Sequence, residues 1–258
     1  MKGQATAGRE ASTMKMNDSR FIATAVFGVV LLGLSVGVSG RFSAGAQASA
    51  GGTIEGTIHF EGTALKRAKL DMGADPYCAG AHSEPVLAQD GAVNGNATLP
   101  NAFIYIKDVP GTFPPPSQPV VLDQKGCMYE PHVLGLMANQ VLRIVSSDPT
   151  THNIHPLCKI NKEWNQSQPP GAPPLDKKFA RPEIMIPVHC NQHPWMSAYI
   201  GVTSNPFYAV TGTEGTFTIK GVPPGEYTLT TWTATFGTQD QKVTVSAGET
   251  AQANFTFK

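Results

Sequence analysis

Residues 188–202 read VHCNQHPWMSAYIGV, a stretch in which Cys190, His193 and Met196 stand three residues apart. The run before it, EIMIPVHC (183–190), and the run that closes it, MSAYIGV (196–202), both have the composition and alternation of strands. In EIMIPVHC, Ile184, Ile186, Val188 and Cys190 share one parity, and Met185, Pro187 and His189 share the other. A period of two sends these sets to opposite faces, so Cys190 is expected to point inward with the apolar residues and His189 outward. His193 then falls in the following turn, stiffened by Pro194, and Met196 opens the next strand. A thiolate, an imidazole and a thioether brought to one point make a soft nitrogen and sulfur site. One further histidine would give the His2Cys set with a weak axial Met that suits copper in electron transfer. SSDPTTHNIHP (146–156) can supply it: His152 follows the alternating run QVLRIVSSD, and His155 lies close by.

Outward from this stretch, the chain reads as strands. PVVLDQKG (119–126) and QVLRIVSSD (140–148) alternate, and Pro-rich FPPPSQP (113–119) precedes them. SQPPGAPPLDKK (167–178) is expected to be an exposed, extended loop. GTIEGTIHFEG (52–62) sets Ile54, Ile58 and Phe60 on one face, with His59 on the other. In NAFIYIKDVPG (101–111), Phe103, Tyr105 and Lys107 face one way, Ile104 and Ile106 the other. The C-terminal 215–258 breaks into four short strands at GVPPGE, FGTQ and SAGET. With 26 Gly, 21 Pro and no long helical period, the fold class expected is all-β. Zero formal net charge and only 15% charged residues argue against nucleic acid as a partner.

The first fifty residues differ in kind. Arg20 precedes the apolar run FIATAVFGVVLLGLSVGVSG, followed by small residues that offer cleavage points around Ala46 to Ala50. This is an export signal or an uncleaved N-terminal membrane anchor, and either places the rest of the chain in the periplasm or cell envelope, where disulfides persist.

Two resemblances follow. Gly52 to Gly62, Asn101 to Gly111 and Gly215 to Lys258 resemble the carboxypeptidase regulatory-like family of small antiparallel β-sandwiches. The order HN, then C-x-x-H-x-x-M, is similar to the cupredoxin family, in particular its plastocyanin-like members. That second resemblance implies one mononuclear type 1-like copper held by His152, Cys190, His193 and Met196. It also implies that Asn153 hydrogen-bonds across the site and that His193 is the ligand nearest the surface. The gap of two residues between His193 and Met196 is shorter than in plastocyanins, so blue, green or red copper all stay open. A binuclear centre would need a second cysteine in the loop, and only Cys190 is there.

Together these give a cupredoxin-type Greek-key sandwich (117–205) inserted into a second, smaller antiparallel sandwich (52–112 and 207–258), preceded by a signal or anchor helix (1–50). Of the remaining cysteines, Cys78 and Cys127 are candidates for a disulfide between sandwich and insert, or with His82 and His132 for a second metal site, leaving Cys158. His155 is either a substitute ligand or a structural residue; Trp195 either rims a docking patch or caps the loop. The function expected is single-electron transfer with a redox protein such as a c-type cytochrome or a respiratory complex. No Ser-His-Asp set, phosphate loop or paired-carboxylate motif points to an enzyme. A metal-free binding module and a copper-storage protein are the other readings.

Overall fold

A computed structural model of the chain describes residues 50–258. The expected signal or anchor helix lies outside the described residues. These are all-β, with seventeen strands and one short helix, and no helix among them is long and apolar enough to cross a membrane. In chain order the elements are β1 (Gly52–Phe60), α1 (Pro76–Gly80), β2 (Phe103–Ile106), β3 (Val120–Lys125), β4 (Met128–Glu130), β5 (Val133–Met137), β6 (Leu142–Ser146), β7 (His152–Pro156) and β8 (Gln166–Gln168). They continue with β9 (Leu175–Lys177), β10 (Glu183–His189), β11 (Ser197–Thr203), β12 (Tyr208–Val210), β13 (Thr216–Val222), β14 (Gly225–Thr233), β15 (Gly237–Val245), β16 (Thr250–Gln252) and β17 (Phe255–Phe257).

Four sheets enclose two hydrophobic cores. The first core lies between a sheet ordered β13-β1-β16, with β17 also on β1, and a sheet ordered β12-β2-β14-β15. Strict alternation along β1 buries Ile54, Ile58 and Phe60 against Ile104, Ile106, Leu229 and Phe255, while His59 stays exposed. This sandwich departs from a purely antiparallel one, because β16 and β17 both run parallel to β1. A break at Ala253–Asn254 divides the last expected strand into these two.

The second core lies between sheets β5-β11-β10-β7-β8 and β4-β3-β6-β9. Leu122, Tyr129, Leu136, Leu142, Ile144 and Phe179 fill it. Its far wall is partly the segment before β2: Met72 and Cys78 are buried in it, with Leu70 and Val86 packed alongside. The run 167–178 is less of a loop than its prolines suggest. Its ends form β8 and β9, which pair with β7 and β6, and only the turn between them is free of the sheets.

Between the two sandwiches, Phe103, Val133 and Met185 are buried among Tyr105, Tyr199, Tyr208 and Trp232. Two glycines permit this closeness. A Cβ on Gly201 would lie 2.4 Å from the Phe103 ring, and one on Gly135 would lie 2.4 Å from the Tyr208 ring. The same junction explains why Ile184 is not inward as its parity predicts. A β-bulge interrupts β10 between Glu183 and Ile186, with Met185 at φ +58°. It turns Met185 into the junction and leaves Ile184 37% exposed, and inward parity resumes at Ile186, Val188 and Cys190.

Candidate metal centre

β7 runs antiparallel to β10, with His189 opposite His155 and Val188 opposite Pro156. That register carries the first residue of β7, His152, past the end of β10 to the loop that joins it to β11. The loop closes on itself: Met196 N–H donates to His193 C=O at 2.9 Å, and Cys190 N–H donates to Met196 C=O at 3.3 Å. His152 Nδ1 and His193 Nδ1 are 2.8 Å apart, and Cys190 Sγ is 3.8 Å from His193 Nδ1. The ligand atoms of the three residues all lie within 4.8 Å of one another. His152 is 0% exposed, Cys190 2%, His193 4% and Met196 0%, with Met196 packed in the same core.

The Asn153 side chain lies between β7 and the cysteine loop. Its Oδ1 accepts from Asn191 N–H at 2.7 Å and lies 3.3 Å from Cys190 Sγ, toward which its own N–H donates at 3.5 Å. Its Nδ2 donates to Asn165 and Asn191, so one side chain ties β7 to the cysteine loop.

The outer nitrogens of both imidazoles face carboxylates. His152 Nε2 is 2.9 Å from Asp148 Oδ2, and His193 Nε2 is 3.4 Å from Asp75 Oδ2. Asp148 is gripped by the two-residue turn between β3 and β4, where Gly126 and Cys127 both have positive φ, as a type I′ hairpin requires. Their N–H groups donate to its two oxygens at 2.7 and 2.8 Å, and Tyr77 O–H donates at 3.0 Å. Burial pushes the Asp148 carboxyl up, but these donors and His152 outweigh it and hold it below the ordinary carboxylate range. Asp75 caps α1, accepting from Cys78 and Tyr77 N–H with Oδ1 and from Thr150 O–H with Oδ2. The Cys78 N–H is the largest cause holding its carboxyl low. Burial likewise holds the His152 imidazole below its usual value against the pull of Asp148.

This arrangement tests the donor set. Ionised carboxylates only accept, so they favour the tautomer with Nε2–H in each neutral ring, which turns the two Nδ1 lone pairs toward each other across 2.8 Å. Two bare acceptors and a cysteine sulfur, buried together, leave a concentration of lone pairs that a cation relieves. Imidazole nitrogen with thiolate and nearby thioether is a donor set that copper fits.

The other expected residues fall elsewhere. His155 is turned away from the group, its Nε2 2.8 Å from Glu163 and its Nδ1 3.2 Å from Asn191. Trp195 is half-buried, with its indole N–H donating to Cys127 C=O at 3.1 Å and its ring 5.0 Å from the His193 ring. That is the loop-capping geometry. Cys78 and Cys127 form the disulfide, which removes them as ligands, and His132 is hydrogen-bonded to Asp90 and Ser197. Cys158 is free and half-buried, its thiol pushed up to about 11 by burial and by Glu183 and Glu163. His193 is not an open edge, because the α1 segment covers it. Sequence reasoning missed Asp75 and Asp148. Each precedes a proline, and Asp148 stands four residues before His152, which is the only signal the sequence offers for them.

Residues 192–258 match the carboxypeptidase regulatory-like domain. This match takes in β11, which pairs with β5 and β10 around the second core, as well as β12 to β17 around the first. No curated protein matches the chain. Among solved structures, it is similar to a copper-containing nitrite reductase from Thermus scotoductus SA-01 at 18% identity and TM-score 0.31, over 38% of this chain and 25% of that one. The chain thus spans a quarter of the reductase's length. It is also similar to amicyanin, at 17% identity and TM-score 0.29 for a Cu(I) variant (40% of this chain, 98% of that one), and at 20% and 0.29 for an oxidised variant (32% and 80%).

Proposed function

We propose that this chain is an exported mononuclear copper protein that passes single electrons between redox partners in the cell envelope. The observation that carries the reading is the buried convergence of His152 Nδ1, His193 Nδ1 and Cys190 Sγ within 4.8 Å. Met196, fully buried in the same core, is the fourth donor in this reading. Copper held there would supply a one-electron couple between Cu(I) and Cu(II). The chain's part is to fix the donors and exclude water. Asn153 ties the cysteine loop to β7, the carboxylates set the tautomers of both rings, and the core around Cys190 keeps solvent away. A buried site of protein donors leaves a substrate no position to bind, which favours electron carriage over catalysis. Residues 117–205 act in this proposal as the copper domain, and 52–112 with 207–258 as its scaffold. A c-type cytochrome or a respiratory complex is the partner class that a one-electron carrier of the envelope serves.

The test is the visible and EPR spectrum of the protein loaded with one equivalent of Cu(II), beside Cys190→Ser. An intense thiolate charge-transfer band lost completely in the variant is the expected result. Weak Cu(II) features unchanged by the substitution would reject the reading.

A further inference from the structure

The two carboxylates behind the histidines are held by the two halves of one disulfide. Cys78 N–H donates to Asp75 Oδ1, and Cys127 N–H donates to Asp148 Oδ2. Asp75 in turn faces His193, and Asp148 faces His152. The sulfurs themselves are close: Cys78 groups with Asp75 and His193, and Cys127 with Asp148 and His152, each set within 4.8 Å. Tyr77, between Asp75 and Cys78 in sequence, adds a third strut by donating to Asp148. The five residues of α1 pair with no strand. The flanking Leu70, Met72 and Val86 anchor the segment on the second core, and α1 itself is fastened over the histidines by the Cys78–Cys127 disulfide and by the Asp75 and Tyr77 hydrogen bonds to Thr150 and Asp148.

We infer that Asp75 is a positioning residue for His193, and that the Cys78–Cys127 disulfide locks it in place, so that α1 is a closed cap over the histidine edge of the site. Its consequence for a bound metal rests on the copper reading, whereas its consequence for His193 does not. With the cap shut, His193 keeps one tautomer and solvent does not reach its Nε2. With the cap released, that nitrogen faces water and exogenous ligands. A dithiol releases it without any change of sequence. The Cys78–Cys127 sulfur–sulfur bond breaks, the two sulfurs take up two electrons and two protons as thiols, and the reagent becomes a disulfide.

The experiment measures the rate at which diethyl pyrocarbonate modifies each histidine of the full metal-free chain, followed by peptide mass spectrometry. His59, exposed on β1, gives the open rate, and His132, buried against Asp90, reports that the fold is intact. In the native protein His193 should react at least tenfold more slowly than His59. Asp75→Ala and dithiol treatment should each raise its rate at least tenfold while His132 stays slow. Asp75→Asn, whose Oδ1 still caps α1 while its amide nitrogen replaces the oxygen facing His193, should keep the ring covered and slow to react. A native His193 as fast as His59, or one unmoved by Asp75→Ala, would overturn the proposal. So would a dithiol effect that exposes His132 equally, since the disulfide would then be a general staple. On the copper-loaded protein, Asp75→Asn should retain the thiolate band and raise the reduction potential, because a negative charge that favours Cu(II) is gone. Absence of any band in the native protein would reject copper, leaving the modification rates to decide the cap.

Discussion

The two sandwiches bury different chemistry. Around the first core, the buried polar side chains are hydroxyls and one amide: Thr98, Thr211, Thr230, Thr231, Thr233 and Asn205. Around the second, the chain buries His132, Asp148, His152, Glu183 and His193. Burying ionisable groups costs free energy unless each is hydrogen-bonded, and here each has named partners. The first sandwich thus combines apolar burial with neutral hydrogen bonds such as Thr211 to Leu99 and Asn205 to Ile106, whereas the second also bears the cost of burying ionisable groups. In the copper reading proposed above, the donor set belongs to the second sandwich, and the first is its scaffold. The two sandwiches pack on each other at the aromatic junction around Phe103.

The largest expected effect therefore falls at the junction. Phe103 is fully buried among Val133, Met185, Tyr105 and Tyr208, with Gly201 against its ring, so truncating it opens a cavity that these packed neighbours fill only in part. Phe103→Ala should cost about 3–5 kcal/mol, read as a lowered midpoint in urea unfolding. A loss under about 1 kcal/mol would mean that the sandwiches do not depend on each other, and the comparison would break.

How much of this was legible in the sequence depended on the range of the interaction. Alternation through Val188 and Cys190 depends only on the local pleat, so it placed the cysteine inward correctly. The same alternation failed at Ile184 because the bulge at Met185 answers to Phe103 across the junction, which no local pattern reports. His152 was expected just after a strand, and it instead begins one, because β7 is completed by pairing with β8 and β10. The Cys78–Cys127 disulfide was reachable by counting cysteines. Asp75 was not, since it meets His193 across 118 residues of chain.

A middle-sized effect sharpens the electrostatic side of the comparison. Glu183 is 7% exposed and accepts from the N–H groups of Lys159, Ile160 and Asn161 and from the Asn161 amide. Burial pushes its carboxyl up, but those donors outweigh it, so its value in the folded chain lies below that of the unfolded chain. A carboxyl lowered by folding stabilises above the unfolded value, about 4.3, and loses that contribution as pH falls through the folded value. Glu183→Gln should therefore cost about 2 kcal/mol at pH 7, with the gap from the native protein closing as pH falls below about 4. A gap that stays constant with pH would remove the charge from the explanation.

The smallest effect separates His155 from its neighbour His152. They stand three residues apart on β7, yet His152 is completely buried and faces Cys190 and His193, while His155 pairs with the half-exposed Glu163 at the rim. A side-chain contact this open contributes about 0–1 kcal/mol. His155→Ala should thus leave the thiolate band of the copper-loaded protein in place and shift unfolding by under about 1 kcal/mol. The alternation that buries His152 and Ile154 carries His155 to the opposite side of the strand, so His155 cannot take the place of His152 unless β7 slips by three residues. Such a slip would break its pairing with Gln166, Ser167 and Gln168 along β8. A band lost in His155→Ala, with His152 intact, would mean that β7 sits in that slipped register when metal is bound.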